Sequence, residues 1–174
     1  MVDDSADGSR EDGGSWNGRF FEDFRVGDRY QHRLGRTILP TDNSWFTQLT
    51  LNTNPIHFDH VYAAQTEFGR PLVNSAFTIA LVTGMSVSDV SQNAMANLGW
   101  DEVRLPAPVF EGDTLYADSV VLSARPSASR PNVGIVHIRT RGFNQDGVVV
   151  IEFRRTMMIY RRGAGPHRRR PQPR

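Results

Sequence analysis

The run from Ser75 to Val87, Ser-Ala-Phe-Thr-Ile-Ala-Leu-Val-Thr-Gly-Met-Ser-Val, constrains the fold more than any other segment. It is apolar almost all round rather than along one stripe, which is how a fully buried helix looks. Such a helix needs a wrapping layer, and the C-terminal half supplies strand-like segments rich in Val, Ile, Thr and aromatics. They cover about 102–105, 114–125, 133–143 and 148–160. The last two are joined by Asn144-Gln145-Asp146-Gly147, whose Asp-Gly pair is a hairpin signal, so the sheet is antiparallel at least there. One buried helix followed by long strands predicts an α+β domain in which a curved sheet wraps a central helix at about 75–87.

The remaining elements fit within a single domain, since 174 residues are enough for one substantial core and too few for two. Apolar residues first recur at Phe20-Phe21, and Val26-Gly27-Asp28-Arg29 reads as a turn into a strand over 29–38. Thr41-Asp42-Asn43-Ser44 is a capping signal ahead of Trp45, Phe46 and Leu49, which predicts a helix over 43–50. A second short helix is expected over 59–67, with Asp59 as its N-cap and Gly69 as its stop. Residues 1–18 form an acidic tail and 162–174 an arginine-rich one, both poor in apolar residues and expected to be disordered, leaving 19–161 as the domain.

Charge and composition narrow the functional classes. The formal net charge is +1, and no aromatic residues interleave with the C-terminal arginines to stack on bases, so no nucleic-acid partner is expected. The absence of cysteine excludes a thiolate nucleophile and a cysteine metal site, and fits a reducing cytoplasm. The N-terminus lacks an apolar signal region and the longest apolar run is too short for a bilayer, so no membrane association is expected.

Of the five histidines, only His57 has a context that suggests chemistry. It ends Asn52-Thr-Asn54-Pro55-Ile56-His57, where Pro55 biases Asn54 away from the helical region and places the imidazole just after a bend. An imidazole titrates near neutral pH and can both take and return a proton. His32 and His137 lie in predicted strands and are expected to be exposed or cross-strand, and His167 falls in the tail. No spacing of His and carboxylates suits a metal, so none is expected. Pro71-Leu72-Val73-Asn74-Ser75 leads into the central helix with two good N-cap residues, and Val109-Phe110-Glu111-Gly112-Asp113 reads as turn chemistry before a long strand.

Together these segments resemble the MaoC-like, (R)-specific enoyl-CoA hydratases over about Phe21 to Tyr160. The resemblance implies a single hot-dog domain, paired into homodimers or higher homo-oligomers, acting on acyl-CoA thioesters with no cofactor beyond the CoA of the substrate. It assigns acid/base work to His57. It makes the start of the central helix, with Ser75 N–H as donor and Asn74 beside it, the site that holds the thioester oxygen. Arg130, in the turn Ser127–Asn132, and Arg70 are candidates for contact with CoA.

Two departures stand at positions that would face the substrate. Asn52 replaces the aspartate most of the family carries five residues before the histidine, and Asn74-Ser75 replaces the usual His-Gly. An amide can orient water but cannot act as a carboxylate base. His57 therefore works alone with Asn52 orienting water, or another carboxylate such as Asp59 substitutes, or the chain is a non-catalytic acyl-CoA binder. With Asn97-Leu-Gly-Trp-Asp-Glu-Val-Arg104, these departures are similar to the branch acting on mesaconyl-CoA or itaconyl-CoA. The expected activity is hydration of a short branched, dicarboxylyl enoyl-CoA or its reversal, with a hot-dog thioesterase as the alternative.

Overall fold

The computed structural model describes residues 17–166, so most of both predicted tails, and His167, lie outside the described residues. Six antiparallel strands form the sheet: β1 (Arg29–Gln31), β2 (Arg36–Thr37), β3 (Ala94–Arg104), β4 (Thr114–Pro126), β5 (Val133–Phe143) and β6 (Val149–Tyr160). Their order is β1-β4-β5-β6-β3, with β2 also paired to β4. The α-helices among the described residues are α1 (Pro40–Leu49), α2 (His60–Ala63) and α3 (Ser75–Met85), and a π-helical turn, Val87–Ser91, follows α3.

Strands β5 and β6 alternate buried and half-buried positions over most of their length, the period-2 pattern of a sheet with one covered face. Their hairpin closes as the Asp-Gly pair predicts: Asn144 Oδ1 accepts from Asp146 N–H and Val148 N–H, and Gly147 takes φ +76°. Helix α3 packs on the covered face through Val82, in a cluster with Ile38, Leu115, Ile151 and Phe153. Each such side chain, fully buried, contributes about 1.5–3 kcal/mol. At Gly142 of β5 an added Cβ would lie 2.6 Å from Val82 Cγ2, so any side chain there would push α3 off the sheet. The helix-in-sheet arrangement is the hot-dog fold.

Several local expectations are corrected. α3 is not fully buried: Thr78 and Val82 are, but Ser75, Ala76, Ala80 and Gly84 are exposed, because the sheet covers only one side of the helix. The strand expected over 29–38 is split into β1 and β2, with His32 to Gly35 turning between them. α1 starts earlier, at Pro40, where the Asp42 carboxylate accepts Leu39 N–H at 2.8 Å and a proline at N1 loses nothing. The helix expected over 59–67 lasts only from His60 to Ala63. Asp59 caps it through Tyr62 N–H as expected, but the chain then breaks into turns well before Gly69. β3 is far longer than the predicted 102–105.

β3 is an edge strand, and Leu98, Trp100, Val103 and Leu105 on or beside it are about half exposed. At the opposite edge His32 is buried and cross-strand. Its Nδ1 donates to Asp89 Oδ2 at 2.9 Å, and Nε2 accepts from Ser119 Oγ of β4 at 2.8 Å. Ser119 Oγ in turn lies 2.8 Å from Thr140 Oγ1. His137 is also cross-strand, bonded through Nδ1 to Thr156 Oγ1 at its register position on β6. After β6, Arg161 and Arg162 form ion pairs with Glu22 and Asp23.

Candidate active site

The segment between α1 and α2 is bent by its own side chains. Leu51 takes φ +56°, a left-handed conformation uncommon for a residue with a Cβ, and turns the chain away from α1. Asn52 Oδ1 then accepts Asn54 N–H at 3.0 Å, and Asn54 Oδ1 accepts Ile56 N–H at 3.2 Å. These two Asx turns place Pro55 at the first position of a single 3₁₀ turn, Pro55–His57, as the Asn-Pro pair implies.

His57 ends that turn and is only 8% exposed. Its Nδ1 lies 2.8 Å from the carbonyl oxygen of Leu72, which can only accept. The proton of the neutral ring therefore sits on Nδ1, and Nε2 presents a lone pair that can take a proton. The Leu72 segment is in turn laced to the histidine loop by Leu72 N–H to Ile56 O at 3.1 Å and to the β4 approach by Val73 N–H to Val109 O at 2.9 Å.

Asn43, fully buried on α1, fastens these loops together. Its Nδ2 donates to His57 O at 2.8 Å, and Leu72 O and Glu111 Oε1 each lie at 3.2 Å. Its Oδ1 accepts Asn74 N–H at 3.0 Å. Two hydrogens thus serve three acceptors, so one is shared. Neither Asn43 nor Glu111 stands out from the sequence beyond a cap signal and a turn, because their partners lie 14 to 68 residues away.

Asn74 is the N-cap of α3, its Oδ1 accepting Ala76 N–H at 2.9 Å while Nδ2 donates to Thr47 Oγ1 at 3.3 Å. The cap leaves Ser75 N–H without a partner among the described residues. Ser75 lines a cavity of about 280 Å³ whose walls are otherwise mainly apolar, including Phe68, Leu72, Val73, Pro106 and Val109. Ser75, whose N–H is uncommitted at the positive end of an 11-residue helix, therefore forms part of an apolar pocket wall. His57 is one hydrogen bond from the pocket wall at Leu72.

The structure thus brings His57, Asn74 and Ser75 to one region, with Asn52 at the base of the histidine loop. Asn52 Oδ1 is committed to the turn, while its Nδ2 makes no bond among the described residues. Arg70 stacks 3.8 Å over the ring of Phe110 near the Phe68 wall. Arg130 is not brought to the site within the chain: it lies in the β4–β5 turn, at the far end of a 13-residue strand, roughly 40 Å along it from Thr114. Among the described residues no group of three or more His, Cys, Asp or Glu side chains converges as a metal site.

A hot-dog domain with this histidine loop and central-helix start is a MaoC-like protein. The sequence profile described as mesaconyl-CoA hydratase matches residues 9–166. A mesaconyl-CoA hydratase of Cereibacter sphaeroides is 35% identical over 83% of this chain and 42% of its own length. A β-methylmalyl-CoA dehydratase of Chloroflexus aurantiacus is 34% identical over 83% of the chain and 41% of its own length. The crystal structure of a MaoC domain dehydratase from Chloroflexus aurantiacus superposes with a TM-score of 0.81 at 32% identity, covering 91% of this chain and 46% of that one. The chain belongs to the mesaconyl-CoA hydratase family, and it spans less than half the length of these three relatives.

Proposed function

We propose that the chain adds water to, or removes it from, a short branched enoyl-CoA thioester, with mesaconyl-CoA the foremost candidate and itaconyl-CoA the next. The observation that carries this reading is the His57 imidazole, fixed through Nδ1 so that Nε2 is the basic atom, beside an apolar pocket that Ser75 at the start of α3 helps to line. In hydration, Nε2 takes a proton from water as its oxygen bonds to the β-carbon, and the same proton is returned to the α-carbon. Negative charge developing on the thioester oxygen is held by Ser75 N–H and the α3 dipole. Asn52 Nδ2 is a donor that can orient the water or the substrate. No cofactor is required beyond the CoA of the substrate.

The chain is proposed to act with a second hot-dog unit, as a homodimer or larger homo-oligomer, in the cytoplasm. Support for the pairing comes from the open face of α3 and the half-exposed apolar side chains of edge strand β3. Among the described residues no helix is long and apolar enough to cross a membrane.

The deciding experiment is a panel of mesaconyl-CoA, itaconyl-CoA and crotonyl-CoA with the wild type and His57→Ala, following enoyl-thioester absorbance and free thiol. Hydration without thiol release, lost in His57→Ala, is the expected result. Release of free CoA would mean a thioesterase, and binding without turnover a non-catalytic relative. Crotonyl-CoA as by far the best substrate would overturn the dicarboxylyl assignment.

A further inference from the structure

With Asn52 in place of an aspartate, the histidine loop lacks its own carboxylate, and the fold brings one from elsewhere. Glu111, in the turn before β4, has a side chain only 11% exposed and sets Oε1 3.2 Å from Asn43 Nδ2. The same Nδ2 lies 2.8 Å from His57 O and 3.2 Å from Leu72 O, and Leu72 O is the acceptor of His57 Nδ1–H. Glu111 and Leu72 O, the carbonyl that accepts from the imidazole, therefore share one amide group. Asp59, the acidic residue nearest to His57 in sequence, does not compete for this role because its carboxylate caps α2.

We infer that Glu111 is a positioning residue for His57: its negative charge, set behind the imidazole through Asn43, stabilises the imidazolium formed when Nε2 takes a proton. The inference rests on the acid/base role proposed above for His57. A carboxylate near an imidazole favours the charged ring, and the attraction is stronger in a poorly hydrated site than in water. Glu111 keeps its charge throughout, since the proton passes only from water to Nε2 and from Nε2 to the α-carbon.

Asp113, in the same turn as Glu111, accepts Phe110 N–H and Gln145 Nε2–H. His60 Nε2 on α2 lies 3.9 Å from Glu111 Oε2, but its side chain is 66% exposed, so solvent screens its charge. Asp42 on α1 is paired with Arg36, Asp59 is a cap, and Arg70 is stacked on Phe110. Of these, only His60 reaches Glu111.

Glu111→Gln in the full chain keeps an oxygen for Asn43 and removes the charge. Its two readouts are the pH profile of kcat/KM on the substrate that the panel above identifies and an NMR titration of the His57 ring, which needs no turnover. Expected are a downward move of both the acid limb and the ring titration, and a fall in kcat of about tenfold with KM within twofold. Glu111→Asp should restore the wild-type profile. An unmoved His57 titration in Glu111→Gln, or a variant that fails to fold, overturns the inference, the second because it makes Glu111 purely structural. A fully active His57→Ala sinks the acid/base reading itself. An inactive His57→Ala beside a wild-type-like Glu111→Gln removes only the role of Glu111.

Discussion

His57 Nδ1 and the carbonyl oxygen of Leu72, 15 residues apart in the chain, are joined by a 2.8 Å hydrogen bond that fixes both the tautomer and the direction of the ring. Rotation about the side chain would break this bond and leave a half-buried carbonyl one donor short, so the ring is held with Nδ1 on this carbonyl and Nε2 as the basic atom. His57→Ala is expected to lower kcat by about 10²–10⁴-fold. Stability should fall by only about 1 kcal/mol, since Asn43 still donates to Leu72 O. Initial rates from the loss of enoyl-thioester absorbance, together with a thermal melt, check both parts.

Asn52→Asp separates specificity from decay. The Oδ1 that accepts Asn54 N–H is present in both residues, so the turn and the melting temperature should be unchanged. The new charge would meet the free carboxylate of a dicarboxylyl substrate, and like charges at close range disfavour each other. The ratio of kcat/KM for mesaconyl-CoA over crotonyl-CoA is expected to fall at least tenfold. An unchanged ratio would show that Asn52 does not face the acyl carboxylate.

What could be read from the sequence follows from how far each interaction reaches along the chain. The Asn54-Pro55 bend, the Asp59 cap, the Asn74 cap and the Asp146-Gly147 hairpin are local, and the structure has each where the residues put it. The long strands announced themselves by their Val, Ile, Thr and aromatic content, whereas β3, with register shifts at three places against β6, was legible only over its last residues. The all-apolar α3 pointed to a wrapped helix, but among the described residues only one of its faces is covered. Asn43 and Glu111 were hidden for a different reason: each reads as ordinary capping or turn chemistry until the fold brings α1 beside the β4 approach.

Asn43→Ala should be more damaging to stability than loss of an exposed cap. The side chain is fully buried and its amide serves His57 O, Leu72 O, Glu111 Oε1 and Asn74 N–H. Removing it leaves several buried polar groups without a partner, at about 1–3 kcal/mol for each one that water cannot reach. A loss of about 3 kcal/mol or more in urea unfolding is expected, together with reduced activity because His57 and the α3 start lose their common tie. A loss under 1 kcal/mol would mean that water replaces the amide.

Arg155 offers a test in the opposite direction. It occupies an inward position on β6 and is 3% exposed, with Nη2 donating to Ser86 Oγ at 3.0 Å and to Ser91 Oγ at 3.4 Å. Its Nε has no partner, and no carboxylate pairs with it among the described residues. Burial pushes its pKa down to about 10, so the guanidinium is still charged at neutral pH and its desolvation weighs against the folded state. That penalty is present in full below about pH 10 and is relieved as pH rises from there toward the ordinary arginine value, a range in which the unfolded chain still holds the proton. Arg155→Met fills the same space without the charge and is expected to raise the melting temperature at pH 7 or leave it unchanged. Arg155→Ala, which leaves a cavity and removes the donor that Ser86 Oγ and Ser91 Oγ accept, should lower stability by about 2–4 kcal/mol. If the two variants are equally destabilised in thermal melts at pH 7, the charge itself is stabilising, and the C-terminal end of α3, reached through Ser86 Oγ bonded to Thr83 O, is the group that offsets it.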